Sequence, residues 1–352
     1  MARATTVFVT GASGFIGSAV AHGLVEAGFE VRALVRPGSP RDHLPDQGVR
    51  LVEGDIRDRE SIRSAITGAR YVFHVAADYR FWSRDRNEIL ATNISGTRIV
   101  MEEALRAGAE RVIYTSSVAT LAPRPDGAPA DESVSLAEPE SIGAYKRSKI
   151  AAEHLVLSMV ADQGLPAVIV NPSTPVGPRD VRPTPTGRMI VAAASGGIPA
   201  FVDTGLNLVH VDDVALGHLA ALERGRVGER YILGGQNVPF CQMLHDIAAI
   251  MGRKGPKFRM PWYSALPVAF VAEAIAGVTG REPLATLEGV HLSKHRMFFC
   301  AGKAERELGI KARPYQEGLL EAVRWFHDFG YCKAAPATSG SAFPMQATPP
   351  RR

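Results

Sequence analysis

The chain has 352 residues, of which 46% are hydrophobic and 22% charged, with a formal net charge of +4. That length admits one large α/β domain or two modest ones, and the composition excludes a fibrous or wholly disordered chain. The basic residues are scattered rather than blocked, which argues against nucleic acid as a partner.

The N-terminal MARATTVFVTG enters a strand at once and leaves no room for a signal peptide. Strands are expected at Thr6–Thr10, Glu30–Val35, Arg50–Glu53, Tyr71–Ala76, Arg111–Thr115 and Ala167–Asn171. Helical periods lie between them at Ile16–Ala27, Asp58–Ile66, Glu88–Ala107 and Ala144–Gln163. This alternation predicts an α/β fold, a Rossmann-type doubly wound parallel sheet with helices on both faces. The rhythm breaks after Pro172, in the proline-rich NPSTPVGPRDVRPTPTG. We therefore expect a dinucleotide-binding domain over 1–172 and a smaller substrate lobe over 173–332 that returns elements to the sheet. The apolar run Ala265 to Ala276 is short for a membrane span and interrupted by Glu273, so it reads as a core helix, with membrane-surface contact as the alternative. The tail over 333–352 has no apolar period and is expected to be disordered. Cys241, Cys300 and Cys332 are odd in number and lack metal-ligand spacing, which points to a reducing, cytoplasmic setting without a metal.

Three glycines raise the first chemical question. Gly11 permits a tight turn after the first strand, Gly14 lets a pyrophosphate approach bare backbone, and Gly17 allows close packing of helix on strand. Ser13, Phe15 and Ile16 complete that turn, and the helix N-terminus offers free N–H groups to phosphate. An ordinary strand–turn–helix is the alternative. The N-terminal position and the βαβ rhythm favour dinucleotide binding. An acidic residue about 20 positions past the turn would hold the ribose hydroxyl of NAD. Here Arg36 stands there, 19 residues after Gly17 (36 − 17), with Ser39 and Arg41 following. A guanidinium suits the 2′-phosphate of NADP, although NAD is admitted.

The second cluster is GAYKRSKIAAEHL. Tyr145 and Lys149 are four residues apart and share one helical face. A phenol near pKa ~10 is a poor acid or base at neutral pH, and an ammonium one turn away should lower that value. Ser116 and Ser117 follow a strand, at the carboxyl end where ligands of open α/β sheets collect. Such a phenol, ammonium and hydroxyl are the parts of a hydride-transfer site.

Thr10 to Gly17, His74-Val-Ala-Ala77, Tyr114-Thr-Ser-Ser117, Tyr145 to Lys149, Asn171-Pro-Ser-Thr174 and Val209-His-Val-Asp-Asp213 together resemble the extended short-chain dehydrogenase/reductases. HVAADYRFW, IGAYKRSKIAAE and DTGLNLVHVDDVALGH are similar to the hopanoid-associated sugar epimerases, themselves similar to dihydroflavonol 4-reductases. The resemblance implies Ser117 as the hydroxyl that polarises the substrate oxygen, Tyr145 as acid/base and Lys149 as its partner and ribose anchor. It places Asp55 and Ile56 beside adenine, Val75, Ala76, Ala77 and Thr115 along the cofactor, and Asn171, Pro172 and Ser173 near the nicotinamide. Asn93 would brace the site. Asp78, Tyr79, Phe81 and Trp82 would wall a substrate pocket together with Ser117. His210, Asp212 and Asp213 read as structural, not as a metal pair.

Two departures bear on the reaction. Dehydratases of this kind follow the hydroxyl with Asp-Glu, whereas Val118 and Ala119 follow Ser117. Nucleotide-sugar epimerases carry an arginine shortly before the histidine strand, where this chain has Leu206, Asn207, Leu208 and Val209. Arg179, Arg182 or Arg188 could compensate. Reduction of a carbonyl and epimerisation through a transient ketone both stay open, with a non-catalytic NADP-sensing regulator as the other class. The expected partner is a small molecule, and a homodimer is one assembly the sequence allows.

Overall fold

The computed structural model describes residues 5–80, 86–136, 143–280, 283 and 285–337. In chain order the first half runs β1 (Thr6–Thr10), α1 (Phe15–Glu26), β2 (Glu30–Val35), β3 (Val49–Glu53), α2 (Arg59–Ile66), β4 (Tyr71–His74), α3 (Arg86–Leu90), a π turn (Ala91–Ser95), α4 (Gly96–Arg106), β5 (Arg111–Thr115), α5 (Ala144–Gln163) and β6 (Ala167–Pro172). The second half runs β7 (Thr174–Val176), α6 (Pro185–Ala194), β8 (Ala200–Val202), β9 (Gly205–His210), α7 (Val211–Arg224), β10 (Arg230–Leu233), β11 (Gln236–Pro239), α8 (Phe240–Ile250), β12 (Phe258–Met260), α9 (Leu266–Thr279), α10 (Leu287–Leu292), β13 (Arg296–Met297), α11 (Gly302–Leu308) and α12 (Tyr315–Asp328).

Seven strands form one parallel sheet in the order β10-β6-β5-β4-β1-β2-β3. The order reverses beside β1, so the carboxyl ends of β1 and β4 flank a crevice where ligands of such sheets bind. Both faces of the central strands β1, β4, β5 and β6 are buried because these strands are mostly β-branched, aromatic or aliphatic, whereas edge strand β3 (VRLVE) has no buried residue. One face packs Val7, Val9 and Phe73 against α1 and α7, and the other packs Phe8, Val72 and Tyr114 against α2, α4 and α5. A separate core under α6, α8 and α12 gathers Ile190, Met243, Leu319 and Phe326. β10 and α7 come from beyond residue 173 yet join the large sheet, β10 pairing with β6.

Four local expectations change. β4 stops at His74, because Val75 to Ala77 leave the sheet toward the crevice. The helix foreseen over 88–107 is broken by the π turn, which rotates Asn93 inward. Ala337, assigned by composition to the tail, meets the end of α8, where its N–H donates to the Ile250 carbonyl at 2.8 Å. The fourth is α9. It is not a core helix: only Ala269 and Ala276 are buried, while Val268, Phe270, Val271, Ile275 and Val278 are each more than half exposed.

Candidate active site

After β1 the chain turns at Gly11, with φ of +76°. A Cβ there would stand 2.6 Å from the Ala76 backbone nitrogen, and one on Gly17 would stand 2.0 Å from the Gly11 carbonyl oxygen. Backbone therefore packs on backbone, which only glycine allows. Gly14 caps α1 in an extended conformation, and no side chain accepts from the first turn. The helix start thus keeps N–H groups and partial positive charge for an anion. Phe15 anchors the turn in the core, and the Ser13 carbonyl accepts from His43 Nε2 at 3.1 Å. The segment from Gly11 through Ile16 to Gly17 fits a dinucleotide pyrophosphate.

Arg36 follows β2 and is exposed. Arg41, expected beside it, is instead ion-paired with Glu53, so it is a committed rather than a free cation. The Asp55 carboxylate is gripped by Arg57 at 2.8 and 3.0 Å, which holds its pKa below the usual range. Ile56 is buried against Gly96, where an added Cβ would meet it at 2.7 Å.

On the other side of the crevice, buried His74 joins Thr10 Oγ1 at 2.7 Å and Thr97 Oγ1 at 2.9 Å. Burial lowers its pKa to about 3, so it stays a neutral brace. That brace fixes Val75, Ala76 and Ala77, and Ala76 donates to Thr10 Oγ1 at 3.3 Å. Asn93 then clamps Asp78 from both sides, accepting its N–H at 2.7 Å and donating to its carbonyl at 2.8 Å. Its amide also donates to Ser148 Oγ on α5 at 2.8 Å, which ties the loop to the helix of Tyr145. The Asp78 carboxylate pairs with Arg80 at 2.5 Å, so it is not free for a substrate. Tyr79 Oη lies 3.5 Å from the Arg182 carbonyl, bringing the loop toward the proline-rich segment. Phe81 and Trp82 lie outside the described residues.

Ser117, Tyr145 and Lys149 converge. Ser117 caps a 3-10 turn after β5 and accepts from the Ala119 N–H at 3.1 Å, and its hydroxyl shares a hydrogen bond with the Tyr145 phenol. Ser116 Oγ is buried and has no hydrogen-bond partner among the described residues. Lys149 is buried and donates to the Thr115 carbonyl at 2.8 Å, with its ammonium 5.1 Å from the Tyr114 ring. Thr115 Oγ1 in turn bonds His218 at 2.9 Å. The expected lowering of the Tyr145 pKa does not appear. Burial raises it, the Ser117 bond opposes that rise, and the Glu288 charge adds to it. Lys149 is turned onto a carbonyl, and burial draws its own pKa down to about 8 against the pull of Glu153.

Two carboxylates escaped the sequence reading. Glu153 is buried one turn beyond Lys149 and accepts from Asn171 Nδ2 at 2.8 Å and Thr120 Oγ1 at 3.1 Å, while Arg230 reaches it at 3.2 Å. Asn171 also donates to the Ser117 carbonyl at 3.1 Å, so this network holds the serine from behind. The spacing of Glu153 from Lys149 was the available signal. Glu288 arrives from α10 against Gly143, where a Cβ would lie 1.8 Å from its carboxylate, and no local pattern announces it. Pro172 is buried and Ser173 half-buried at the end of β6, and the Ser173 N–H donates to Leu233 at 3.1 Å. Ser173 Oγ and Asn171 Oδ1 are buried without a partner among the described residues, as expected of groups that would meet a cofactor.

His210 caps α7 through Asp212 N–H at 3.1 Å, and its Nε2 meets Glu321 at 3.1 Å. Arg179 pairs with Asp212, and Arg313 holds Asp213 at 2.8 Å. These are structural partnerships and leave Arg179 committed. Arg188 lies by buried Asp180, and Arg182 is exposed. Asn207 Nδ2 is spent on the carbonyls of Gly235 and Phe299, both at 3.2 Å, and on Asn237 Oδ1 at 2.7 Å.

The buried ammonium of Lys149 predicts a measurable linkage. Its pKa falls from 10.5 in the unfolded chain to about 8, so between those values the unfolded chain binds the extra proton and stability rises with pH. Below about 8 the charge is present and costs stability. Lys149→Met should therefore gain stability relative to the parent at pH 7 and lose that advantage by pH 10, by roughly 3 kcal/mol. Urea denaturation of both proteins across that range checks it. A pH-independent difference would show that Lys149 is not desolvated.

The pattern of the family described as "NAD dependent epimerase/dehydratase family" matches residues 7–234. A dihydroflavonol 4-reductase-like protein of Synechocystis sp. is 42% identical over 95% of this chain and 98% of its own length. Sterol demethylase protein B of Methylococcus capsulatus is 34% identical over 92% of this chain and 99% of its own. The crystal structure of gox2253 superposes with a TM-score of 0.83 at 48% identity, covering 93% of this chain and 99% of that one. With the glycine turn, the parallel sheet and the Ser117–Tyr145–Lys149 cluster, these matches make the chain a member of the NAD dependent epimerase/dehydratase family, an oxidoreductase built around a nicotinamide dinucleotide.

Proposed function

We propose that this enzyme reduces a ketone or aldehyde on an apolar, ring-bearing substrate with NADPH. The observation that carries the reading is the hydrogen-bonded Ser117–Tyr145 pair at the end of β5, followed in the chain by apolar Val118 and Ala119 rather than an acid pair. Val118 and Ala119 are buried apolar residues there, so the side chains needed to eliminate water are missing from those positions. Leu206 stands where a diphosphate-gripping arginine would, packed against the core under α6, α8 and α12, which speaks against a nucleotide sugar. The relatives' names, a flavonoid reductase and a sterol-processing protein, support apolar polycyclic compounds as the substrate class.

When bound, the dinucleotide supplies the hydride to the carbonyl carbon. Ser117 Oγ and Tyr145 Oη donate to the carbonyl oxygen, and the Tyr145 proton moves onto it as the alcohol forms. Lys149, one helical turn from Tyr145, would hold positive charge toward the resulting phenolate and bind a ribose hydroxyl. Gly11 to Gly17 would hold the pyrophosphate, and Asn171 and Ser173 would face the nicotinamide end. Incubation with NADPH and a panel of flavonoid, steroid and isoprenoid ketones should consume the cofactor and yield alcohol in equal amounts. Inversion of a sugar carbinol without net cofactor consumption would replace this reading with epimerisation.

Arg36 supports NADP as the cofactor, because a guanidinium there can pair with a 2′-phosphate dianion. Calorimetry should show NADPH bound more tightly than NADH. Arg36→Ala should weaken NADPH by about tenfold or more and leave NADH nearly unchanged. Equal affinities in the parent protein would make Arg36 a surface charge.

A further inference from the structure

Helix α9 has its apolar residues on the wrong side for a protein surface in water. The line toward the protein body is small, with Ala269 and Ala276 buried and Ala272 half-buried. The large side chains Val268, Phe270, Val271, Ile275 and Val278 point out, each more than half exposed. A solvated helix shows the reverse arrangement, and a contiguous exposed apolar face marks a docking surface. The one acidic residue in the helix, Glu273, is turned inward, where it accepts the Leu287 N–H at 2.7 Å. The apolar face is therefore uninterrupted by negative charge.

Its surroundings say what covers it. The segment leading into the helix, RKGPKFRMPWY, carries exposed Lys254, Lys257 and Arg259 together with exposed Phe258 and Tyr263. Lys294 joins the same rim, its ammonium 6.0 Å from the Trp262 ring. Asp203 neutralises part of this charge through Arg259 and Arg296, while Lys254, Lys257 and Lys294 are exposed to solvent. Cations and aromatic rings beside an apolar helix face match the headgroup layer of a bilayer carrying anionic lipid. A second copy of this chain fits less well, since two-fold pairing sets the basic rim against itself.

We infer that α9 and the 253–263 segment form a docking surface for anionic lipid, with the helix lying in the plane of the interface. Trp262 to Thr279 is long and apolar enough to cross a bilayer. Its small-residue line and Glu273 hold it to the protein body, so it lies on the membrane. The surface also leads to the site, because α9 binds the start of α10 through Glu273, and α10 carries Glu288 to Gly143 next to Tyr145. A substrate that partitions into lipid would enter from this side.

Vesicle flotation of the full chain tests the inference. The protein should float with phosphatidylcholine vesicles containing phosphatidylglycerol, float poorly with pure phosphatidylcholine, and lose binding as salt is raised. The triple change Phe270→Ser, Val271→Ser, Ile275→Ser should reduce flotation at least about tenfold, with NADPH affinity and circular dichroism unchanged. Lys254→Glu with Lys257→Glu, far from any core, should weaken binding to the anionic vesicles by a similar factor even if the triple variant misfolds. Failure to float with either vesicle overturns the inference, as does parental flotation of the lysine variant. A dimer by light scattering that α9 substitution dissociates, without vesicle binding, would assign the face to a second copy.

Discussion

Tyr145→Phe should lower turnover by about 10²–10⁴-fold while leaving the NADPH dissociation constant nearly unchanged. The phenol shares its hydrogen bond with Ser117 and starts α5 behind Gly143, so the ring stays seated when the hydroxyl is removed. What is lost is the proton donor to the substrate oxygen. The raised pKa of the phenol keeps it protonated at neutral pH, the form that reduction requires. The pH profile of turnover should accordingly fall on the alkaline side, where Lys149, at about 8, gives up its charge. Near-normal turnover in the phenylalanine variant would remove Tyr145 from the chemistry. A large loss of NADPH affinity would instead make it a cofactor-binding residue.

The second large effect lies in the glycine turn. Gly17→Ala places a Cβ 2.0 Å from the Gly11 carbonyl oxygen and 2.6 Å from its carbon, contacts that backbone cannot yield without moving α1. That shift takes the helix start away from the phosphates. We expect NADPH affinity to fall by about 100-fold or more, with a stability cost of about 1–3 kcal/mol. Gly23 on the same helix is the control. A Cβ there meets Leu219 at an ordinary 3.5 Å, so Gly23→Ala should stabilise the fold by about 0.5–1 kcal/mol and leave cofactor binding intact. Calorimetry and thermal melts on the two variants decide the matter, and similar behaviour of both would end the close-packing account.

Local signals carried most of the nucleotide half. Val7 to Thr10, the spaced glycines and the period of α1 are short-range patterns, and the strand–turn–helix follows from them directly. Tyr145 and Lys149 were legible because four residues make one helical turn. The departures arise where distant parts of the chain meet. Asn93 reaches inward only because a π turn interrupts its helix, and Asn171 meets Glu153 and Ser117 only across packed elements. Glu288 reaches Tyr145 from more than a hundred residues downstream. Burial outweighing the Ser117 hydrogen bond at Tyr145 is a property of the folded interior that spacing cannot convey. In α9 the composition suggested a core, whereas the distribution of small against large residues around the helix turns the large ones outward.

The most direct test of the account is a stoichiometric turnover with NADPH deuterated at the transferable position. Incubated with a flavonoid or steroid ketone, the protein should oxidise one cofactor per alcohol formed and place the deuterium on the new carbinol carbon. Tyr145→Phe should abolish both signals. Deuterium that stays on the cofactor, or product formed without cofactor oxidation, would contradict carbonyl reduction at the Ser117–Tyr145–Lys149 site.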